Sequence, residues 1–197
     1  MTAEPVPARP PWSGIPRGRP FVHEDLDAMP DDGRRYEIID GVLIVTPGPS
    51  MRHQDRAGNL YTILRAARPS REWVVLFAPF DIRLADSTVE PDILVARRSR
   101  FTEKNLPEAP TLAVEIHSPS TRRLDLTLKR ARYEAAGTAA YWVVDPDPEH
   151  PGLRAWELRD DHYVEAAHAT DDEPFSTVIP YPLTFTPADL AKDPDFD

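Results

Sequence analysis

The chain has 197 residues, enough for one well-cored domain and short for two. It has no cysteine, which excludes disulfides, thiolate zinc sites and cysteine nucleophiles together. Its 33 acids against 23 lysines and arginines give a net charge of −10. That balance is poor for gripping phosphates unless bases are gathered locally or a metal ion offsets the repulsion. No stretch approaches the roughly 20 apolar residues that cross a bilayer, and the N-terminus lacks a charged-then-apolar signal pattern. The expectation is a cytoplasmic protein with no membrane partner.

Prolines crowd residues 1–20 and leave no apolar periodicity there, so this segment reads as a flexible arm. One domain is expected over 21–190, with a short tail over 191–197. A short helix is predicted from His23 to Met29. Arg35 to Thr46 reads as a hairpin, because Asp40-Gly41 separates two apolar runs and Asp-Gly is the strongest short hairpin signal. Ser50 is a good N-cap for a helix in which Ala57, Leu60, Tyr61 and Leu64 recur at helical spacing up to about Arg68.

Apolar strands follow at Trp73–Phe77, Phe80–Leu84, Val89–Ala96 and Leu112–His117, with a polar loop over Arg97–Pro110. Ser118-Pro119-Ser120 ends the last of them. A helix is predicted from about Thr121 to Ala136, with Leu124, Leu128, Ala131 and Ala135 as its core stripe and Gly137 as C-cap. Ala140–Val144 is a further buried strand, and the alternating residues from Leu153 to Leu158 and Tyr163–Ala167 read as antiparallel strands at a sheet edge. The fold class is α/β or α+β: a mixed central sheet flanked by helices, with an added antiparallel strand region.

Asp92 and Glu115 are the candidates for carrying chemistry. Each sits in an apolar, strand-forming run, where a carboxylate costs several kcal/mol to bury unless something pairs with it. Neighbouring strands lie about 4.8 Å apart, so in the right register the two acids could share an ion. Hard oxygen ligands suit Mg²⁺ or Mn²⁺. Acids at strand ends paired to arginines would give the same pattern. His117 lies two residues beyond Glu115 and shares its face of the strand; it is a candidate ligand or base, or a cap of the strand end. Lys129 on the following helix could stabilise phosphate charge or pair with Asp125 one turn away. Glu37 is a candidate third carboxylate or a cross-strand ion-pair partner. His53, near the positive end of its helix, could meet a phosphate or lie on the surface. Arg122 and Arg123 open the densest basic stretch, which continues through Lys129, Arg130 and Arg132, and are candidate nucleic-acid contacts or a solvated helix face. There is no P-loop, Gly-rich dinucleotide turn, nucleophile elbow or H-E-x-x-H.

In order along the chain, Tyr36–Gly41, Ser50–Gln54, Val89–Asp92, Val114–Thr121, Asp125 with Lys129 and Tyr133, Gly137, and Tyr141–Pro146 resemble the Uma-type family of restriction-endonuclease-like proteins. The resemblance spans roughly residues 20–190. It implies a PD-(D/E)xK nuclease core with a Mg²⁺ or Mn²⁺ site that hydrolyses DNA. Asp92 matches the motif's aspartate and Glu115 its second acid. The lysine expected two residues later is replaced by His117, and Lys129 on the next helix matches a migrated lysine. Glu37 matches a further acidic position and His53 a recurrent polar one. Ala139-Ala140 stands where relatives usually carry a glutamate. The alternative reading is a non-catalytic nuclease-fold module that binds nucleic acid or a protein. A homodimer would supply the two sites that a double-strand cut requires, an expectation from fold analogy.

Overall fold

The computed structural model describes Pro16 and residues 18–192. Most of the arm over 1–20 and most of the tail over 191–197 therefore lie outside the described residues. A 3₁₀ helix at His23–Ala28 comes first. Strands β1 (Arg35–Ile39) and β2 (Val42–Thr46) form the expected hairpin. Asp40 and Gly41 both take positive φ, at 52° and 73°, as the tight hairpin turn demands. At Gly41 a Cβ would also stand 2.6 Å from the Pro20 Cβ, so glycine is required twice over.

Helix α1 (Met51–Ala67) is capped by Ser50, whose side chain accepts from the His53 N–H. Then come β3 (Trp73–Phe77), β4 (Asp81–Arg83), β5 (Thr88–Val89) and β6 (Ile93–Arg97). The single strand expected over Val89–Ala96 is thus two. The reason is Glu90-Pro91-Asp92: Pro91 cannot donate to a ladder, and the chain there leaves one sheet for another. The loop over Arg97–Pro110 contains a 3₁₀ turn at Arg98–Arg100 and the two-residue strand β7 (Asn105–Leu106).

Strand β8 (Leu112–Ile116) leads into a helix in three parts: α2 (Arg122–Leu124), a π turn (Asp125–Lys129) and α3 (Arg130–Ala135). After it come β9 (Ala140–Asp145), β10 (Gly152–Arg159), β11 (His162–Thr170), β12 (Phe175–Thr177) and β13 (Leu183–Phe185), then a 3₁₀ helix at Pro187–Ala191.

The main sheet has the order β11-β10-β9-β8-β6-β3, with β8 and β9 parallel and the other pairs antiparallel. A second sheet runs β2-β1-β5-β4-β7, and β12 pairs with β13. Period-two alternation divides the core. Ile93, Val95, Leu112, Val114, Ile116, Trp142 and Val144 pack on the α1 side with the β12–β13 hairpin. Leu94, Ala96, Ala113, Tyr141 and Val143 face the other side, with Tyr133 of α3 and Ile39, Ile82 and Val89 of the second sheet. A sheet buried on both faces explains why its strands read as continuous apolar runs.

The helix after β8 inverts the expected stripe. Leu128, Ala131 and Ala135 are exposed, whereas Asp125, Lys129 and Tyr133 are buried. Apolar periodicity misjudges this face because the helix covers a polar site between the sheets, not an apolar core.

Candidate active site

Glu115 is the one acid inside β8. It has the parity of Ala113, so the pleat turns it toward the side of Tyr133 and Tyr141. The register Ile93↔Val114 between β6 and β8, continued by one residue, sets Asp92 opposite Glu115. The Ile116 N–H donates to Asp92 Oδ2 at 2.7 Å, so the carboxylate takes over where Pro91 interrupts the ladder. From the second sheet, β1 contributes Glu37, whose Oε1 accepts the Glu90 N–H at 2.8 Å. Lys129 Nζ lies 2.8 Å from Glu37 Oε2 and 3.0 Å from Glu115 Oε1, with all three side chains almost fully buried. Lys129 is therefore no surface partner of Asp125; it clamps a strand of each sheet.

Asp92 is held by a different set. Arg35 donates to Oδ1 at 2.8 Å, and His53 Nε2 lies 2.9 Å from Oδ2. The carboxylate can only accept, so that nitrogen carries the hydrogen. Arg35 also donates to the Glu90 carbonyl at 3.2 Å. Burial works to raise the Asp92 carboxyl, but the His53 hydrogen bond and the Arg35 charge outweigh it and hold it at about 2.

The remaining acids go the other way. Burial pushes Glu115 well above the usual carboxylate range, against the pull of Lys129. It pushes Glu90 up to about 7 against Arg35, and Asp125 up to about 6 against Lys129. Burial would lower the Lys129 ammonium, yet Glu115, Glu37 and Asp125 hold it protonated well above the ordinary lysine value. The π turn places Asp125 and Lys129 side by side on the buried face, and Tyr141 Oη donates to the Asp125 carbonyl at 2.9 Å. That bond satisfies a backbone group within the π turn.

These side chains line a cavity of about 260 Å³ bounded by Arg35, His53, Asp92, Glu115, Asp125 and Lys129, with the 47–50 segment and the turn after β8 as its rim. Gly48 is required in that rim, since a Cβ there would meet the Gly33 carbonyl at 2.9 Å. His117 lines the same cavity, but its Nε2 points to Asp145 Oδ2 at 3.2 Å, and burial lowers its pKa. Arg122 and Arg123 are exposed and do not line it. Sequence reasoning missed Arg35, Glu90 and the inward side of Asp125. The available signals were the second acid two residues before Asp92 and the one-turn spacing of Asp125 from Lys129.

Among the described residues, no group of three His, Asp or Glu side chains is gathered tightly enough to hold an ion alone. The donor set is nonetheless suited to a hard divalent cation. Among the described residues, the five carboxyls Glu37, Glu90, Asp92, Glu115 and Asp125 outnumber the two fixed cations, Arg35 and Lys129, that face them, so a further cation would find acids to neutralise. Mg²⁺ commonly takes one or two carboxylates and completes its shell with water.

A mixed sheet with paired acids at adjoining strand positions, and a lysine supplied by the crossover helix, defines a restriction-endonuclease-like α+β fold. The sequence profile of the Uma2 family, described as "putative restriction endonuclease", matches residues 23–188, and the chain belongs to that family. By that description the family is one of nucleases. A solved structure from Anabaena variabilis, described as "a putative nuclease belonging to DUF820", is similar over 87% of this chain and 97% of its own. At 21% identity and a TM-score of 0.66, that likeness bears on the fold alone. No curated protein matches the chain. Among the described residues, no helix is long and apolar enough to cross a membrane.

Proposed function

We propose that the chain is a Mg²⁺- or Mn²⁺-dependent endonuclease that hydrolyses DNA phosphodiester bonds. The observation that carries this reading is the meeting of Asp92, Glu115 and Lys129 in the wall of one cavity, with Glu37 of the second sheet paired to Lys129 behind it. Asp92 and Glu115 would hold the ion, with Glu37 contributing directly or through water. When bound, the ion supplies Lewis acidity toward a phosphoryl oxygen and a more acidic water.

The protein's own groups divide the remaining work. Arg35 and His53 keep Asp92 ionised and oriented. Lys129 stays protonated, so it donates positive charge toward the phosphate and takes no proton. Asp125 accepts a hydrogen bond from the Thr121 side chain but has no ion pair within hydrogen-bond reach among the described residues, and it is the lining carboxylate that would accept the proton of the attacking water. His117 assists through its wall position, and Arg122 and Arg123 steer the DNA backbone. A homodimer and a cytoplasmic setting belong to the same reading.

The test is cleavage of plasmid DNA with Mg²⁺ by the wild type and by Asp92→Ala. Loss of cleavage in the variant is expected, and unchanged cleavage would sink the assignment. One observation favours a non-catalytic binding module instead: every oxygen of Asp92 and of Glu37, and one of Glu115, is already engaged by a protein donor. Thermal stability separates the two. An ion that binds only the folded state at a hundred times its Kd adds about 2.7 kcal/mol, whereas a sealed module would melt at the same temperature with or without millimolar Mn²⁺.

A further inference from the structure

Two hollows adjoin the catalytic cavity, and their charges differ. The larger, about 530 Å³, shares Arg35, His53 and Asp92 with it, and is walled further by Asp27, Asp31, Asp81 and Glu90 with Arg34 as the added cation. A phosphate entering there meets mainly carboxylates. The other, about 190 Å³, lies beyond His117, which lines both it and the catalytic cavity. It collects Arg122 from α2, His150 from the β9–β10 loop, Arg154 from β10 and His168 from β11. Three of the six histidines of a chain with net charge −10 thus meet two arginines in one small hollow.

The acids nearby are largely occupied. Asp145 faces His117 Nε2, Asp171 lies 3.5 Å from His150 Nδ1, and Glu165 takes one arm of Arg154 at 2.6 Å. Arg122 has no ion pair among the described residues, and its charge acts on His117. His117 is about nine-tenths buried, and its Nδ1 has no hydrogen-bond partner. Arg154 is also fixed against the Trp156 ring at 5.4 Å, so part of its side-chain entropy is spent before any ligand arrives.

We infer that this hollow is a phosphodiester subsite, formed by Arg122, His150, Arg154 and His168, for a phosphate flanking the scissile one on the same nucleic-acid strand. The inference rests on the nuclease reading above and adds a direction to it. The strand leaves the catalytic cavity past His117 over the β10–β11 hairpin, and not through the acidic cleft on the Asp92 side. It also explains how an acidic protein retains a polyanion: the bases are concentrated at one exit.

The test is fluorescence anisotropy of a labelled oligonucleotide, single-stranded and duplex, titrated with protein over a range of salt concentrations in Ca²⁺. The proteins are wild type, Arg154→Gln, His168→Gln and the Arg122→Gln/Arg154→Gln pair, with Arg97→Gln as an exposed arginine far from the hollow. All substituted side chains except that of Arg122 belong to the sheet surface, and unchanged melting temperatures certify folding. Each lost phosphate contact reduces the slope of log K against log salt by about 0.9 for duplex or about 0.7 for single strands. The pair is therefore expected to lose about twice that slope and to bind at least tenfold more weakly, while Arg97→Gln binds as wild type.

Wild-type protein that binds and cuts, with hollow variants indistinguishable from it, overturns the subsite and leaves the nuclease reading standing. Wild-type protein that neither binds nor cuts any nucleic acid overturns both. Inorganic phosphate distinguishes the source of the anion. If it binds the wild type and not the paired variant, while oligonucleotide affinity is equal in the two, the hollow is a free-anion site and the proposal fails.

Discussion

Lys129 holds together two things that a substitution would separate, the charge balance of the fold and the chemistry of the cavity. It is the sole ammonium between Glu37 and Glu115, both buried on opposing sheets. Removing one partner of a buried ion pair typically costs about 3–5 kcal/mol because the other charge is left uncompensated. Lys129→Met is therefore expected to lower stability by that amount in chemical denaturation and to abolish DNA cleavage. Adding Glu115→Gln should restore much of the stability and none of the cleavage. A single variant as stable as wild type would show that the glutamates do not depend on the ammonium. Asp92 differs from its neighbours because its partners are Arg35, His53 and a backbone N–H. Its ionisation is therefore set by the protein itself, before any ion arrives.

At the scale of elements, the helix after β8 is where sequence and structure part company. Its apolar residues suggested a stripe of Leu124, Leu128, Ala131 and Ala135, yet the π turn and the buried cluster turn Asp125, Lys129 and Tyr133 inward. Periodicity assumes that what is buried is apolar, and a helix roofing a charged cavity breaks the assumption. The hairpin at Asp40-Gly41, the Ser50 cap and the β8 and β9 strands were legible because each rests on local chemistry: turn φ, capping oxygen, apolar run. The break at Glu90-Pro91-Asp92 was visible as a proline, but its meaning as a switch between sheets depends on long-range pairing. The pairings Lys129–Glu37 and Arg35–Asp92 were illegible for the same reason, since residues 92 and 57 positions apart carry no local signal of contact.

Tyr141 tests the π turn directly. Its hydroxyl is the donor to the Asp125 carbonyl, and an unsatisfied buried acceptor costs about 1–3 kcal/mol. Tyr141→Phe keeps the ring stacked near Tyr133, so a loss of unfolding free energy of that size in chemical denaturation would be assigned to the bond. No change would mean that the turn is held by packing alone.

Over the whole molecule, excess buried acid makes stability depend on pH in an unusual direction. Unfolded aspartate and glutamate titrate near 3.9 and 4.3, while burial raises Asp125 to about 6, Glu90 to about 7 and Glu115 well above its ordinary value. Between roughly pH 4 and 7 these three acids thus bind more protons folded than unfolded, a contribution that falls as pH rises and is expected to outweigh the opposite one from His117, whose pKa burial lowers. Asp92, held at about 2, has the opposite sign, and its contribution is lost as pH falls below the unfolded value. In EDTA the melting temperature is expected to be higher near about pH 5 than near about pH 7.5. Mn²⁺ should narrow the gap by neutralising carboxylates that the higher pH ionises. A curve that rises from pH 5 to 7.5 without metal would show that the acids are better compensated than their surroundings suggest.

The same charge excess gives the sharpest test of the site. A crystal soaked in Mn²⁺, with anomalous data collected at the manganese edge, locates the ion without reference to activity. An anomalous peak bonded to carboxylate oxygens of Asp92 and Glu115, with Lys129 still beside Glu37, is the expected result. A fully ordered site with no peak there, or with manganese bound only elsewhere, would contradict a metal-dependent nuclease built on these residues.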